Sequence, residues 1–435
     1  MDQQQVFYHI YPLGFCGAPQ ENDGVQEHRI LHILDWLDQL EKLGVTALYL
    51  GPIFESDCHG YDTRDYTKID TRLGTKEDMQ QVAAALHQRG IKLILDGVFN
   101  HVGRGCPFFQ DVLAKREASP YKDWFYIDFN QRDNPDGLSY ANWEGHGNLV
   151  KWNLDNPQVK DYLLGAVQGW LEDYQIDGLR LDVAYCLNQN FLRELNHFCK
   201  SQREDFWLLG EMIGGDYNQL LQPDLCDSVT NYECRKGIFS ALNSHNLFEI
   251  GHSLHRQFGP EPWCLYRGKA LYSFVDNHDV DRLASILQDP RDLPLAYALI
   301  FAMPGLPSIY YGSEWAARGQ KAGGSDAPLR PYFAKPEWNE LTDVIAQLAR
   351  AHQAVRVWAD GDYDQLCLQN EQLAFRRRDS EGQGILCQNS ADHDARLNFD
   401  AQTGQAEDLL SGEQVAINGG LDLGPKSFRL LYSKW

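Results

Sequence analysis

Long apolar runs are missing from this chain. None reaches the roughly 18–20 residues of a membrane span, so transmembrane helices are not expected. Basic residues are in deficit as well. With 39 Lys and Arg against 61 Asp and Glu, the net charge is −22. Phosphate backbones and anionic lipid surfaces call for a basic patch, so neither nucleic acid nor a membrane is an expected partner. The histidines form no HxH or HExxH arrangement and the cysteines no CxxC pair. That argues against a zinc protease, a zinc ribbon or a thioredoxin-like site. The ten cysteines are scattered, several in apolar surroundings such as Ile385-Leu-Cys387, and read as free thiols of a reducing cytoplasm. The opening residues Met1-Asp-Gln-Gln-Gln5 carry no basic stretch followed by an apolar one, so no secretory leader is expected.

What is present is a long, aromatic-rich chain. At 435 residues it exceeds one small domain, and one large α/β domain with a small one fits best. Aromatics make up 12% of it, enough for a core and for flat apolar faces of the kind that stack on sugar rings. Strand candidates are Val6–Tyr11, Ala47–Leu50, Lys92–Leu95, Gly178–Asp182, Trp207–Glu211, Ser228 with its neighbours, Leu271–Val275 and Ser308–Tyr311. Helical patterns lie between them, such as Val159, Tyr162, Leu163, Val167, Trp170, Leu171 and Tyr174 at the spacing of a buried stripe. Eightfold strand–helix alternation points to a (β/α)8 TIM barrel, although periodicity by itself leaves a doubly wound sheet open. The expected barrel covers 1–101 and 151–350. Residues 102–150, long and weakly periodic, read as a small subdomain inserted after strand 3. Residues 351–435, short strands between polar turns, read as a C-terminal all-β domain, a β-sandwich.

Polar groups gather where these strands end. Gly178-Leu-Arg180-Leu-Asp182 puts Arg180 and Asp182 on one face of a strand. Burying two charges there is costly unless they are paired or used. The third strand leads into Asp96-Gly-Val-Phe-Asn100-His101, the fifth ends on Glu211, and the seventh runs into Asn277-His278-Asp279. Active sites of such barrels form at the C-terminal ends of strands. Carboxylates converging there repel one another, which folding alone does not favour. Two or three carboxylates with histidines and an arginine, and no serine or cysteine triad, suit glycoside hydrolysis. One carboxylate attacks the anomeric carbon while the other protonates the leaving oxygen. Like-charge proximity keeps the acid protonated.

These segments resemble, in order, four signature regions of the α-amylase family, glycoside hydrolase family 13. The regions are Asp96–His101, Gly178–Asp182, Gly210-Glu211 and Phe274–Asp279. His59-Gly60-Tyr61-Asp62 resembles the loop after the family's second strand, and Gly305–Glu314 its eighth strand. The resemblance runs from about residue 5 to 315. It implies Asp182 as nucleophile, Glu211 as acid and then base, and Asp279 as transition-state stabiliser. It implies that Arg180 orients Asp182 and that His59, His101 and His278 contact the sugar on which Tyr61 stacks. Asp326 and Arg330 resemble a pair that touches more distant sugars, though a loop salt bridge is an equal reading. Retention then implies carboxyl groups about 5–5.5 Å apart.

Where calcium-dependent members carry a histidine or lysine, this chain has Cys186, a poor ligand for a hard cation. Asn100 alone matches a calcium ligand of those members. No metal and no required cofactor are therefore expected. The chain looks more like the intracellular cyclomaltodextrinases, neopullulanases and maltogenic amylases, which implies α-1,4-linked malto-oligosaccharides, cyclodextrins or pullulan as substrates and a cytoplasmic location. Rivals are an α-glucan transglycosylase or α-glucosidase of the same fold, and a non-catalytic glycan-binding protein. Oligomeric state is not legible in the sequence.

Overall fold

The computed structural model describes residues 4–131 and 135–435. Residues 1–3 and 132–134, which fall in the expected leading end of the barrel and in the expected insertion, lie outside the described residues.

Eight short strands form one parallel sheet: β1 (Phe7–Ile10), β2 (Ala47–Leu50), β3 (Lys92–Gly97), β4 (Gly178–Leu181), β5 (Trp207–Gly210), β6 (Ser228–Val229), β7 (Tyr272–Ser273) and β8 (Leu306–Tyr310). Their order is β6-β5-β4-β3-β2-β1-β8-β7. A parallel bridge from Thr230 to Tyr272 joins the two ends, with the Asn231 N–H donating to the Tyr272 carbonyl at 2.9 Å. The strands are near-continuous apolar runs because both faces are buried. Phe7, Ala47, Tyr49, Ile94, Trp207, Leu209, Tyr272, Phe274 and Leu306 fill the interior. The residues between them, such as Tyr8, Leu48, Leu93, Leu179 and Leu208, pack outward in the larger core. β7 is shorter than its apolar run predicts, since Phe274 and Val275 stay buried but leave the ladder.

The helix Pro157–Tyr174 is capped by the Asn156 side chain and buries Val159, Leu163, Val167, Trp170 and Tyr174 of the stripe read from the sequence, while Tyr162 and Leu171 are half-buried. Gly178 is required at the start of β4, because a Cβ there would lie 2.5 Å from the Trp207 carbonyl oxygen. Between β3 and Pro157 the chain builds a three-stranded sheet from His101–Gly103, Asn142–Trp143 and His146–Lys151. That segment also holds a helix, Pro107–Lys115, too short for its buried Phe109 and Val112 to register as a period.

The helix Glu340–Ala354 runs through residue 350 and packs on the barrel side, and the first strand of the C-terminal sheet starts at Asp362. That sheet has six strands, and the ribbon of Ala395–Asn398 and Gly420–Leu423 covers only one of its faces. The layers are therefore unequal. Strand alternation sends Ala374, Ile385, Cys387 and Leu431 toward the ribbon. It sends Leu373, Phe375, Leu386 and Leu430 into the core shared with the barrel. No helix among the described residues is long and apolar enough to cross a membrane. All ten cysteines are described, and none forms a disulfide.

Candidate active site

The interior face of the barrel changes character along its axis. Ile94, Gly178 and Leu209 give way, two residues on, to Asp96, Arg180 and Glu211, and Arg180 is followed by Asp182. Asp96 and Arg180 are register partners on adjacent strands. Arg180 is 3% exposed and donates from Nη1 to Asp96 Oδ1 at 3.0 Å and to Asp182 Oδ1 at 2.8 Å. Its Nη2 lies 2.7 Å from Glu211 Oε1. One guanidinium therefore serves three buried carboxyls. The hydroxyls of Tyr49 and Tyr61 complete the shell of Asp96, at 2.7 and 3.1 Å.

The backbone turns sharply after Asp182. Val183 has φ 40° and ψ 47°, a left-handed conformation that costs a β-branched residue on the order of 1–3 kcal/mol. The turn aims the Val183 N–H at Glu211 Oε2, 2.9 Å away. Glu211 is thus held at both oxygens.

Burial raises the Asp182 carboxyl well above its ordinary range. Arg180 opposes that shift, and the charges of Glu211, Asp96 and Asp279 add to it.

Asp279 behaves oppositely. It lies beyond β7 and accepts from His278 Nε2 and from Arg330 Nη2, both at 2.9 Å. Burial would raise its pKa, but His278, Arg330 and Arg180 together outweigh burial and hold the carboxyl far below the usual range. Arg330 also donates to the His278 carbonyl at 3.0 Å and to Asp326 Oδ2 at 3.1 Å, and its guanidinium sits 4.4 Å from the centre of the Tyr11 ring. Asp326 is further paired with Lys321 at 2.9 Å.

Two histidines flank the carboxyls. His101 Nδ1 lies 3.1 Å from the Asn100 amide nitrogen. Burial, with His59 nearby, lowers its pKa to about 3, so the ring is neutral. Its Nε2 is buried without a hydrogen-bond partner, 3.9 Å from Asp182 Oδ2. His278 stacks between Tyr61 and Tyr11, with centroids at 5.4 and 5.7 Å.

The carboxyls open onto a cleft of about 940 Å³. Of the residues singled out in the sequence, His59, Tyr61, His101, Asp182, Glu211, Asp279, Asp326 and Arg330 line it. Arg180 and His278 do not; they lie behind the carboxylates, and His278 is 1% exposed. Sequence reasoning missed Tyr49, whose interior parity on β2 was its only signal. It also missed Trp143 and His146, which the inserted segment brings to the cleft wall stacked at 5.1 Å.

The Asn100 side-chain oxygen is buried without a partner, and the free Cys186 offers sulfur, a poor ligand for calcium. Among the described residues no three His, Cys, Asp or Glu side chains converge as a metal site.

The family model for the alpha amylase catalytic domain matches residues 9–381. A cyclomaltodextrinase of a Bacillus species is 31% identical across 88% of this chain and 72% of its own length. An intracellular maltogenic amylase of Bacillus subtilis is 32% identical across 72% of this chain and 56% of its own. The solved cyclic α-maltosyl-(1→6)-maltose hydrolase of Arthrobacter globiformis superposes with a TM-score of 0.84 at 28% identity, covering 99% of both chains.

Proposed function

As the chain belongs to the alpha-amylase family, we propose that it hydrolyses α-1,4-glucosidic bonds of malto-oligosaccharides, with retention at the anomeric carbon, through Asp182, Glu211 and Asp279. The observation that carries this reading is the single Arg180 guanidinium spanning Asp182 and Glu211 at the floor of an open cleft.

In this reaction Glu211 acts as the acid and Asp182 as the nucleophile. Asp182 attacks C1, Glu211 passes its proton to the glycosidic oxygen, and the C1–O bond breaks with a glycosyl–Asp182 ester left behind. Glu211, now a carboxylate, takes a proton from the water that attacks C1, and Asp182 departs as carboxylate. Two inversions give retention. Asp279, fixed and ionised, faces the positive charge that develops on the ring.

Relatives named for cyclomaltodextrin and for maltose-yielding hydrolysis support α-1,4-glucans as the substrate class, cyclic forms included. A cytoplasmic location is supported by the relative named intracellular and by ten unpaired thiols.

The test is product chromatography on maltotriose, β-cyclodextrin, pullulan and starch, with NMR of the first-formed anomer. Retained α-configuration is expected. A β-anomer or no turnover on any of these rejects the proposal.

A further inference from the structure

Another buried histidine lies below the carboxyls. His9 follows Phe7 by two residues on β1, so both take the interior face of the barrel. Register pairs His9 with Tyr49 and Tyr49 with Ile94, one interior layer below Asp96. His9 is 3% exposed and does not line the cleft. Its ring stacks on Tyr49, with 4.2 Å between centroids and 21° between planes, and meets His278 edge-on at 5.0 Å and 88°. The Tyr310 ring closes a third side at 5.0 Å. Burial, with His278 and Arg180 nearby, pushes the His9 pKa well below its ordinary value, so the ring is neutral.

Two arms of the site meet at this ring. Tyr49 donates to Asp96, the anchor of Arg180 and so of Asp182 and Glu211. His278 Nε2 faces Asp279 and the Tyr61 hydroxyl. With Nε2 so engaged, His278 Nδ1 is buried without a hydrogen-bond partner, and so is His9 Nε2. A phenylalanine would lay the same flat face on Tyr49 and leave no nitrogen unpaired. A buried unpaired nitrogen costs stability, so packing alone does not favour histidine here. Such breaches of local preference concentrate at functional sites. Against a second imidazole, edge on face, an imidazole is also a more polar partner than a hydrocarbon ring.

We infer that His9 is a positioning residue of the hydrolysis: its imidazole, set edge-on to His278, fixes that ring and through it the carboxylate of Asp279, while His9 itself touches no sugar. The inference rests on the hydrolase reading above.

Two variants separate the nitrogens from the shape. His9→Phe keeps a ring on Tyr49, and His9→Gln keeps a hydrogen-bonding group. For His9→Phe, kcat on maltotriose should fall about tenfold, with KM within about twofold and a Tm no lower than the parent's. His9→Gln should stay within about threefold of the parent kcat. In a His278→Asn background, His9→Phe should cost no more than about twofold, because it acts through that ring. Calorimetry adds a readout without turnover. The cationic iminosugar 1-deoxynojirimycin mimics the charge that Asp279 faces, and it should bind His9→Phe about tenfold more weakly while maltose binds as to the parent. Should His9→Phe not fold, His9→Met takes its place in each measurement. A kcat for His9→Phe within about twofold of the parent overturns the inference. So does a tenfold loss that persists in the His278→Asn background, a His9→Gln no better than His9→Phe, or equal weakening of iminosugar and maltose. If the parent binds both sugars but cleaves no α-glucan, the hydrolase reading falls, and the calorimetry still decides whether His9 holds Asp279. If it binds neither, both readings fall.

Discussion

Arg180 holds Glu211 as closely as it holds Asp182: Nη2 lies 2.7 Å from the one and Nη1 2.8 Å from the other. The sequence motif assigns this arginine to Asp182 alone. In the fold it sets the spacing of both carboxyls, with Asp96 as its anchor below.

Arg180→Lys keeps the charge and loses the fork. An ammonium is a point donor and cannot span both carboxyls in one geometry. We expect kcat/KM to fall by about 10²–10³ while the far-UV CD spectrum is preserved. Activity within about threefold of the parent enzyme would show that the bridge does not set the geometry.

The two carboxyls should separate by leaving group. Glu211→Gln removes the proton donor, so it should lose about 10³ or more on maltotriose and recover much of that on a maltosyl fluoride, which leaves without a proton. Asp182→Asn removes the nucleophile and should not recover on either substrate. Rescue of Asp182→Asn by the fluoride would reverse the assignment.

A buried acid outside the reaction should leave its mark on stability. Tyr8 donates to Glu314 Oε1 at 2.6 Å, and burial pushes the carboxyl up to about 7. The folded protein then holds this proton more tightly than the unfolded chain, whose glutamate titrates near about 4.3. That contribution is complete below the unfolded pKa and is lost as pH rises through about 7, a difference of roughly 4 kcal/mol. Melting curves of Glu314→Gln against the parent, from about pH 4 to about pH 9, should show the variant gaining relative stability as pH rises. A gap constant with pH would reject the shifted titration.

Chelation should change little. Because Cys186 offers sulfur and no three His, Cys, Asp or Glu side chains converge among the described residues, dialysis against a calcium chelator should leave both the Tm and kcat where they were. A Tm that drops on chelation and returns with added calcium would overturn the metal-free reading.

The sequence by itself determined the alternation of strands and helices. It also determined which residues stand at the strand ends and, through the period of two, which of them share the barrel interior. That was enough to bring Asp182, Glu211 and Asp279 to one mouth. Only the tertiary structure decided what each is bonded to. Strand parity says which face a side chain takes, but not which neighbour it meets there. That depends on the register of β3, β4 and β5, on the left-handed turn at Val183, and on a loop from beyond β8 that lays Arg330 on Asp279. The helix at Pro107 was illegible because it is too short for its buried Phe109 and Val112 to register as a period.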